Sequence, residues 1–188
     1  MDDNKNYHAW AHRQYFVSKY DAWGDEFHFV DRMLDVDPQN NSAWNHRMFV
    51  LQHGEILDTM ELIQAEILVV QKYLGQSPYN ESPWAYVWGL RKITGVTLEM
   101  LRPMLQFARE LLTSLVPGCP TALGFVADYL EATTRAFHAI GESANSAATG
   151  KKTIEVYSSL CEFDPVHMEY WSHRAARLSS VILGPTTH

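Results

Sequence analysis

The sequence predicts an all-α protein built from repeated pairs of antiparallel helices. A Trp-x-His-Arg word recurs at Trp10, Trp44 and Trp171, and Trp84 begins a weaker copy. A proline stands six residues before the last three of these tryptophans. Nowhere does the chain alternate apolar and polar residues as a half-buried strand would. A repeat without strand patterning is typical of helical hairpins that bury their apolar faces against their neighbours.

Each repeat unit is expected to begin where one helix is broken and the next is capped. Proline cannot continue a preceding helix, and asparagine is a favoured helix cap. These residues place unit starts near positions 4, 38, 78, 117 and 164. The fourth unit is a degenerate copy, with Leu123 in the tryptophan position. All five units are predicted to belong to one helical-repeat domain that spans residues 1–188.

Within a unit, a polar or glycine-containing turn should separate two helices. In the first unit this turn is expected at Asp21–Asp25, around Gly24. A second helix then follows, because apolar residues recur at helical steps through Leu34. Pro103 is expected near another helix start. The low-complexity segment Gly141–Lys152 is predicted to be a flexible loop between the last two hairpins.

The composition is that of a globular, acidic protein. Apolar residues make up 46% of the 188 residues, and the formal net charge is −7. This charge argues against a general nucleic-acid surface, and no apolar run approaches the roughly 20 residues of a membrane span. Cys119 and Cys161 are too few and too far apart for a disulfide framework or a metal knuckle. We therefore expect a cytoplasmic protein.

The recurring residues are predicted to form the scaffold of the repeat. Tryptophans should be buried between adjacent hairpins, and the arginines should pair with carboxylates on neighbouring helices. Acidic runs at Asp31–Asp37 and Asp58–Glu66 are expected to face solvent. The predicted scaffold residues are Trp10, Arg13, Trp44, Arg47, Trp84, Trp171 and Arg174.

Two histidines in the first unit raise the alternative of a metal site. His8 and His12 are four residues apart, which places both imidazoles on one helical face. A catalytic zinc needs a third protein ligand, and none lies near in sequence. His12, His46 and His173 also share one repeat position. We therefore predict no metal site and assign these three histidines to scaffold contacts.

Longer words around the tryptophans resemble a known family. The words from Lys5 to Trp10, from Asn40 to Arg47 and from Pro78 to Trp84 are similar to successive repeats of protein prenyltransferase α subunits. They favour the subunit shared by protein farnesyltransferase and geranylgeranyltransferase type I. The ending Glu169-Tyr170-Trp171 resembles the last helical unit of that family.

The resemblance implies a right-handed superhelical array of hairpins that wraps around a β subunit. In that family the heterodimer transfers a farnesyl or geranylgeranyl group to the cysteine of a C-terminal CaaX sequence. The implied partners are therefore the β subunit and, through the complex, an isoprenoid diphosphate and CaaX proteins. Catalytic zinc is implied on the β subunit and magnesium with the diphosphate, so this chain is expected to bind no cofactor itself.

The same resemblance implies which residues of this chain reach substrate. The family's diphosphate-contacting lysine belongs to a Lys-Asn-Tyr word one repeat before the copy at Lys5, so no catalytic residue is assigned. The chain is thus expected to be a C-terminal fragment or short form, inactive alone. Asn6, Tyr7 and His8 are predicted to bind substrate at a helix start that faces the β subunit. Tyr7, which has no counterpart in the other units, is expected to donate its hydroxyl to the diphosphate.

Two other functions remain open from the sequence. A helical-repeat adaptor could bind proteins without catalysis, since repeat arrays commonly serve as binding surfaces. The α subunit of Rab geranylgeranyltransferase shares the same Trp and Arg skeleton. The isoprenoid itself cannot be read from this chain, because its length is selected in the pocket of the β subunit.

Overall fold

The computed structural model describes residues 6–53, 59–93 and 95–183, and within these ranges the protein is helical and contains no strand. Lys5 lies outside the described residues, as do Asp58 and its neighbours from 54 to 57. Two short 3₁₀ turns, Glu99–Leu101 and Pro165–His167, precede the helices that begin at Arg102 and Met168. The helices are α1 (Tyr7–Tyr20), α2 (Glu26–Val36), α3 (Asn41–His53), α4 (Thr59–Gln76), α5 (Glu81–Leu90), α6 (Arg102–Ser114), α7 (Pro120–Ala139), α8 (Ser143–Phe163) and α9 (Met168–Leu183).

The helices form two compact units, Met1–Met100 and Leu101–His188, each with its own internal packing. In the first unit α1, α3 and α5 are neighbours, while α2 packs on α3 and α4 packs on α5. The first helices of successive hairpins thus lie side by side, and each second helix contacts the first helix of the following hairpin. This is the stacking that the repeat in the sequence predicts.

Asparagines cap three of the helices in the first unit. The side-chain oxygen of Asn6 accepts hydrogen bonds from the backbone N–H groups of His8 and Ala9. Asn40 caps α3, and Asn80 caps α5 in the same way. The backbone N–H groups at a helix start have no partner within the helix, so each cap satisfies donors that would otherwise be unpaired. The predicted use of asparagine at unit starts is confirmed.

In the second unit α8 packs against both α7 and α9, and α6 packs on α7. Its core contains Ala127, Tyr157, Leu160 and Leu178, all fully buried. Leu123 packs against this core from the position where other units have tryptophan. A leucine therefore still supplies an apolar contact in the degenerate unit.

The predicted flexible loop at Gly141–Lys152 is wrong, because α8 begins at Ser143. Only the turn around Gly141, with a φ of 77°, keeps a loop conformation. Gly150 lies inside the helix, where an added Cβ would approach Ile182 Cδ1 to 2.0 Å. The glycine thus allows α8 and α9 to approach closely, and it does not break the helix.

Candidate functional site

The six-residue spacing between proline and tryptophan corresponds to a hydrogen bond. The Trp44 indole Nε1 donates to the Pro38 carbonyl at 2.9 Å, and Trp84 donates to Pro78 at the same distance. Trp44 and Trp84 are buried, as predicted, whereas Trp10 and Trp171 are only partly buried. The Trp171 indole instead donates to the Asp164 carboxylate at 2.9 Å. Each tryptophan therefore fixes the segment that leads into its own helix, in addition to filling the core.

Arg47 lies at the centre of a buried ion-pair network. Its guanidinium makes two hydrogen bonds to Glu66, of 2.6 and 2.8 Å, and a third of 2.7 Å to Asp31. The side chains of Arg47 and Glu66 are 3% and 4% exposed, so each buried charge is stabilised by the other. Tyr86, from the next hairpin, donates its hydroxyl to Glu66 at 2.5 Å. Glu66 thus joins the arginine of its own hairpin to the first helix of the following one.

Glu26 repeats this arrangement one hairpin earlier. Arg13 donates to it through Nε and Nη2 at 2.9 and 2.7 Å, and His46 Nε2 lies 2.6 Å from it. We name the two sets the Glu26 bridge (Arg13, Glu26, His46) and the Glu66 bridge (Arg47, Glu66, Tyr86). The tryptophans follow the same order, because Trp10 packs on His46 and Trp44 on Tyr86, with ring centroids 5.2 Å apart in both pairs.

The protonation of the Glu26 bridge follows from its burial. Burial lowers the pKa of His46 below its usual value, even though Glu26 acts in the opposite direction. Burial would raise the pKa of Glu26, but hydrogen bonds from Arg13 and His46 outweigh it and lower that pKa. A neutral His46 that donates Nε2–H to the carboxylate fits both directions. Its Nδ1 is buried, with no partner among the described residues.

The last unit pairs its arginine differently. Arg174 donates to Asp128 and Glu131, both on α7, and Tyr157 donates its hydroxyl to Glu131. Burial opposes ionisation of Glu131, but hydrogen bonds from Tyr157, Arg135 and Arg174 lower its pKa to about 2. All three repeat arginines therefore pair with carboxylates on other helices, which confirms that prediction.

The shared scaffold role predicted for His12, His46 and His173 holds only for His46. His12 and His173 are both exposed, and His12 stacks on Phe16 of its own helix, with ring centroids 4.5 Å apart. His46 is buried because α2 supplies Glu26 to it. The described residues offer His12 no equivalent glutamate. In the last unit, which contains His173, the carboxylate of Glu131 is already paired with Arg174 and Tyr157. The repeat position is therefore buried in α3 but exposed in α1 and in α9, even though α8 packs on α9.

The predicted solvent-facing acidic run also needs correction. Glu66 is 3% exposed and forms the Glu66 bridge. A sequence signal for both bridging glutamates exists: each is followed by valine four residues later and by leucine eight residues later. All six of these residues are buried, and they are Glu26, Val30, Leu34, Glu66, Val70 and Leu74.

The predicted substrate-binding residues lie together at the start of α1. Tyr7 is 77% exposed, and its ring packs edge-on against His8 at a centroid distance of 5.7 Å. His8 is exposed as well. Asn6 uses its side-chain oxygen for the helix cap, so its Nδ2 amide is the group with protons to offer a ligand. The three residues form an exposed edge of hydrogen-bond donors at the positive end of the α1 dipole.

The part of the chain that the structure describes has no group of three or more His, Cys, Asp or Glu side chains placed to hold a metal ion. Across the same residues, no helix is both long and apolar enough to cross a membrane.

Comparison with known proteins identifies the repeat. The family described as "Protein prenyltransferase alpha subunit repeat" matches residues 1–20 and 23–54, which contain the Trp10 and Trp44 units. Residues 1–54 of the chain are therefore similar to the repeat of this family. The predicted recognition and the all-α, helical-repeat fold class are thereby confirmed.

Relatives that match most of this chain point to one type of subunit. The chain is 33% identical to the protein farnesyltransferase/geranylgeranyltransferase type-1 subunit alpha of Dictyostelium discoideum over 162 residues, which cover 85% of this chain and 46% of the relative. The Arabidopsis thaliana subunit of the same name is 29% identical over 170 residues, 84% of this chain and 50% of the relative. The chain therefore spans about half the length of the curated relatives it matches.

Other comparisons agree with this placement. A chain of the Candida albicans protein geranylgeranyltransferase-I complexed with GGPP matches with a TM-score of 0.69 and 27% identity, and the match covers 94% of this chain and 54% of that one. The geranylgeranyl transferase type-2 subunit alpha of Dictyostelium discoideum is 35% identical, but over only 54 residues, or 28% of this chain and 17% of the relative. The similarity to the type-1 subunit thus extends across far more of the chain.

Proposed function

We propose that this chain acts as the α subunit, or as part of the α subunit, of a heterodimeric protein prenyltransferase of the farnesyl or geranylgeranyl type I class. The observation that carries the proposal is the 33% identity to such a subunit over 85% of the chain. In this role the Glu26 and Glu66 bridges hold the hairpins in register as a scaffold. The partner is a β subunit, and the heterodimer transfers an isoprenoid to the cysteine of CaaX proteins.

The chain's own contribution to substrate is the edge formed by Asn6, Tyr7 and His8. Prenyl transfer releases a diphosphate, and donors aimed at that developing charge lower the barrier. The Tyr7 hydroxyl, exposed at the start of α1, is proposed to donate to a diphosphate oxygen. The Nδ2 amide of Asn6 and the ring of His8 extend the same edge.

The described residues do not fit a catalytic zinc, since they bring no three His, Cys, Asp or Glu side chains together. We propose that zinc belongs to the β subunit and that magnesium accompanies the diphosphate. The proposed setting is the cytoplasm, and the free cysteines Cys119 and Cys161 agree with a reducing compartment.

Reconstitution tests the proposal directly. The tagged chain is co-expressed with the farnesyltransferase β subunit or with the geranylgeranyltransferase type I β subunit, and the recovered complex is assayed for prenyl transfer to a CaaX peptide. Recovery of a one-to-one heterodimer is the expected result. If neither β subunit is recovered, the adaptor function is preferred. If a Rab protein bound to its escort is modified in place of a CaaX peptide, the type-2 subunit is preferred.

Tyr7→Phe tests the substrate edge within a complex that transfers prenyl groups. Loss of one hydroxyl donor to a diphosphate oxygen should lower kcat about tenfold and leave heterodimer assembly intact. Tyr20→Phe is the matched control, because Tyr20 is 62% exposed at the opposite end of the same helix. Equal kcat values for the two variants would contradict the role assigned to Tyr7.

A further inference from the structure

The direction of the Tyr7 side chain depends on the backbone of the first turn of α1. Tyr7 is the first residue of this helix, and it is 77% exposed. Its ring packs edge-on against the ring of His8. Within the described part of the chain, its hydroxyl has no hydrogen-bond partner. The position of the hydroxyl therefore follows from the conformation of the helix start.

Asn6 holds this first turn from outside the helix. Its Oδ1 accepts hydrogen bonds from the backbone N–H groups of His8 at 2.9 Å and Ala9 at 3.4 Å. Its carbonyl accepts the backbone N–H of Trp10 at 3.2 Å. The backbone of Asn6 is extended, with φ −65° and ψ 108°, so the helix begins at the next residue. Two of the three N–H groups that meet Asn6 thus depend on its side chain.

From Trp10 onward, contacts with other helices hold α1 in place. The Trp10 ring packs on Phe29 and His46 at centroid distances of 5.8 and 5.2 Å, and Arg13 joins α1 to Glu26. The three residues before Trp10 are exposed. Loss of the cap should therefore loosen the first turn and leave the rest of the helix folded.

The asparagines at later helix starts use the same atom for the same purpose. Asn40 caps α3 through Oδ1, and Asn80 caps α5 through Oδ1 while its Nδ2 donates to the Pro38 carbonyl at 2.8 Å. Both residues are buried, so they serve the fold. The recurring role of asparagine at this repeat position is thus to fix a helix start.

We propose that Asn6 is a positioning residue for prenyl transfer, which acts through its Oδ1 cap and holds the Tyr7 hydroxyl in its direction towards the diphosphate. The inference rests on the proposed function, from which it takes the diphosphate contact of Tyr7. It assigns the effect of Asn6 on the rate to the cap and not to its amide. A serine retains a cap acceptor but carries no amide, so Asn6→Ser separates the two roles.

Variants of the heterodimer test the inference by their turnover of a CaaX peptide. Asn6→Ala should lower kcat about threefold to tenfold, because loss of an N-cap weakens a helix start by about that factor. Asn6→Ser should stay within about twofold of the wild type. In a Tyr7→Phe background Asn6→Ala should cause no further loss, since no hydroxyl remains to be positioned. Asn145→Ala is the matched control and should leave kcat unchanged, because Asn145 is exposed within α8 and caps no helix.

Hydrogen exchange of the full chain gives a readout that does not depend on activity. The amides of His8 and Ala9 should exchange about threefold to tenfold faster in Asn6→Ala than in the wild type. In Asn6→Ser they should exchange at the wild-type rate. The melting temperature should stay within about 2 °C in both variants, because the rest of α1 is held by Trp10 and Arg13. Unchanged exchange in Asn6→Ala would overturn the inference.

The kinetic outcomes distinguish a failure of this inference from a failure of the proposed function. If Tyr7→Phe lowers kcat and Asn6→Ser is as slow as Asn6→Ala, the amide itself serves the substrate and only the inference fails. If Asn6→Ala lowers kcat by the same factor with and without the Tyr7 hydroxyl, Asn6 does not act through Tyr7, and again only the inference fails. If Tyr7→Phe leaves kcat unchanged, the diphosphate role of Tyr7 is wrong and the inference fails with it.

Discussion

The Glu26 and Glu66 bridges occupy the same repeat positions and differ in two physical properties. The Arg13 side chain is 35% exposed, whereas that of Arg47 is 3% exposed and has Asp31 as an additional partner. The third member is His46 in one bridge and Tyr86 in the other. Burial raises the pKa of Tyr86 well above its usual value, so Tyr86 stays protonated near neutral pH. The Glu66 bridge is therefore the more deeply buried of the two. The Glu26 bridge is more exposed at Arg13 and contains a histidine that can titrate.

The largest expected effect comes from removing the buried arginine. Arg47→Met should lower the free energy of unfolding by about 3–5 kcal/mol, because it leaves the Glu66 charge buried with only Tyr86 beside it. The measurement is urea unfolding followed by circular dichroism. Lys72→Met is the matched control, since Lys72 pairs with Asp35 on the surface with both side chains about half exposed, and it should cost less than about 1 kcal/mol. Similar losses in the two variants would contradict the buried network.

Trp44→Ala should be of comparable size. The indole is 1% exposed, packs on Tyr73 and Tyr86, and donates to the Pro38 carbonyl. We expect a loss of about 3–5 kcal/mol in the free energy of unfolding, from the cavity and from the lost hydrogen bond. Trp44→Phe keeps most of the packing, and its urea midpoint should fall between those of the wild type and the alanine variant. A phenylalanine variant as unstable as the alanine variant would contradict the assignment of part of the loss to the cavity and part to the hydrogen bond.

Arg13→Met should cost less than Arg47→Met. The Arg13 guanidinium is partly exposed and lies over the Phe29 ring at 3.3 Å, and His46 remains beside Glu26 when Arg13 is removed. We expect a loss of about 1–2 kcal/mol in the same urea experiment. A cost equal to that of Arg47→Met would show that exposure does not distinguish the two bridges.

The smallest expected effect is the pH dependence of the Glu26 bridge. The pKa of His46 is lower in the folded protein than its usual value of 6.5, so the unfolded chain binds a proton more readily. The free energy of unfolding is therefore not reduced by His46 above pH 6.5. It declines as the pH falls towards the folded-state pKa, by at most about 1.4 kcal/mol per pH unit. Glu26, whose pKa is also lowered, adds a loss of the same sign below its usual value of 4.5.

Substitution of His46 isolates this contribution. His46→Gln keeps an N–H donor for Glu26 but cannot titrate, so the difference in unfolding free energy between pH 7.5 and pH 5.5 should shrink. His28→Gln is the control, because His28 is exposed on α2. A pH dependence that His46→Gln leaves unchanged would remove His46 as its source.

The sequence predicted the parts of the fold that depend on local rules. Prolines and asparagines mark the helix starts because their effects on the backbone act within a few residues, and Asn40 and Asn80 cap helices as expected. Gly150 misled the prediction of a loop at Gly141–Lys152, because this glycine allows a close approach to Ile182, more than 30 positions further along the chain. Contacts of that kind leave no local signal.

The candidate site was predictable to a different degree. The sequence predicted that the repeat arginines pair with carboxylates, since a buried guanidinium needs an opposite charge beside it. Glu66 was missed as such a partner because its acidic run was interpreted as a solvated surface, although the valine and leucine four and eight residues later mark the same buried face as at Glu26. The exposed position of Tyr7 agrees with the expectation from its unique place in the repeat. Its contact with a diphosphate stays a prediction that Tyr7→Phe tests.

The sequence separations within the bridges bear on how the chain folds as it is synthesised. Glu26 meets Arg13 across 13 positions and His46 across 20, while Glu66 meets Arg47 across 19 and Tyr86 across 20. Contacts this local close small loops at low entropic cost and favour rapid folding. Each glutamate is neutralised first by an arginine that has already left the ribosome and then by a side chain that emerges about 20 residues later. A nascent first unit can therefore acquire its hairpins one at a time, from the N-terminus onward.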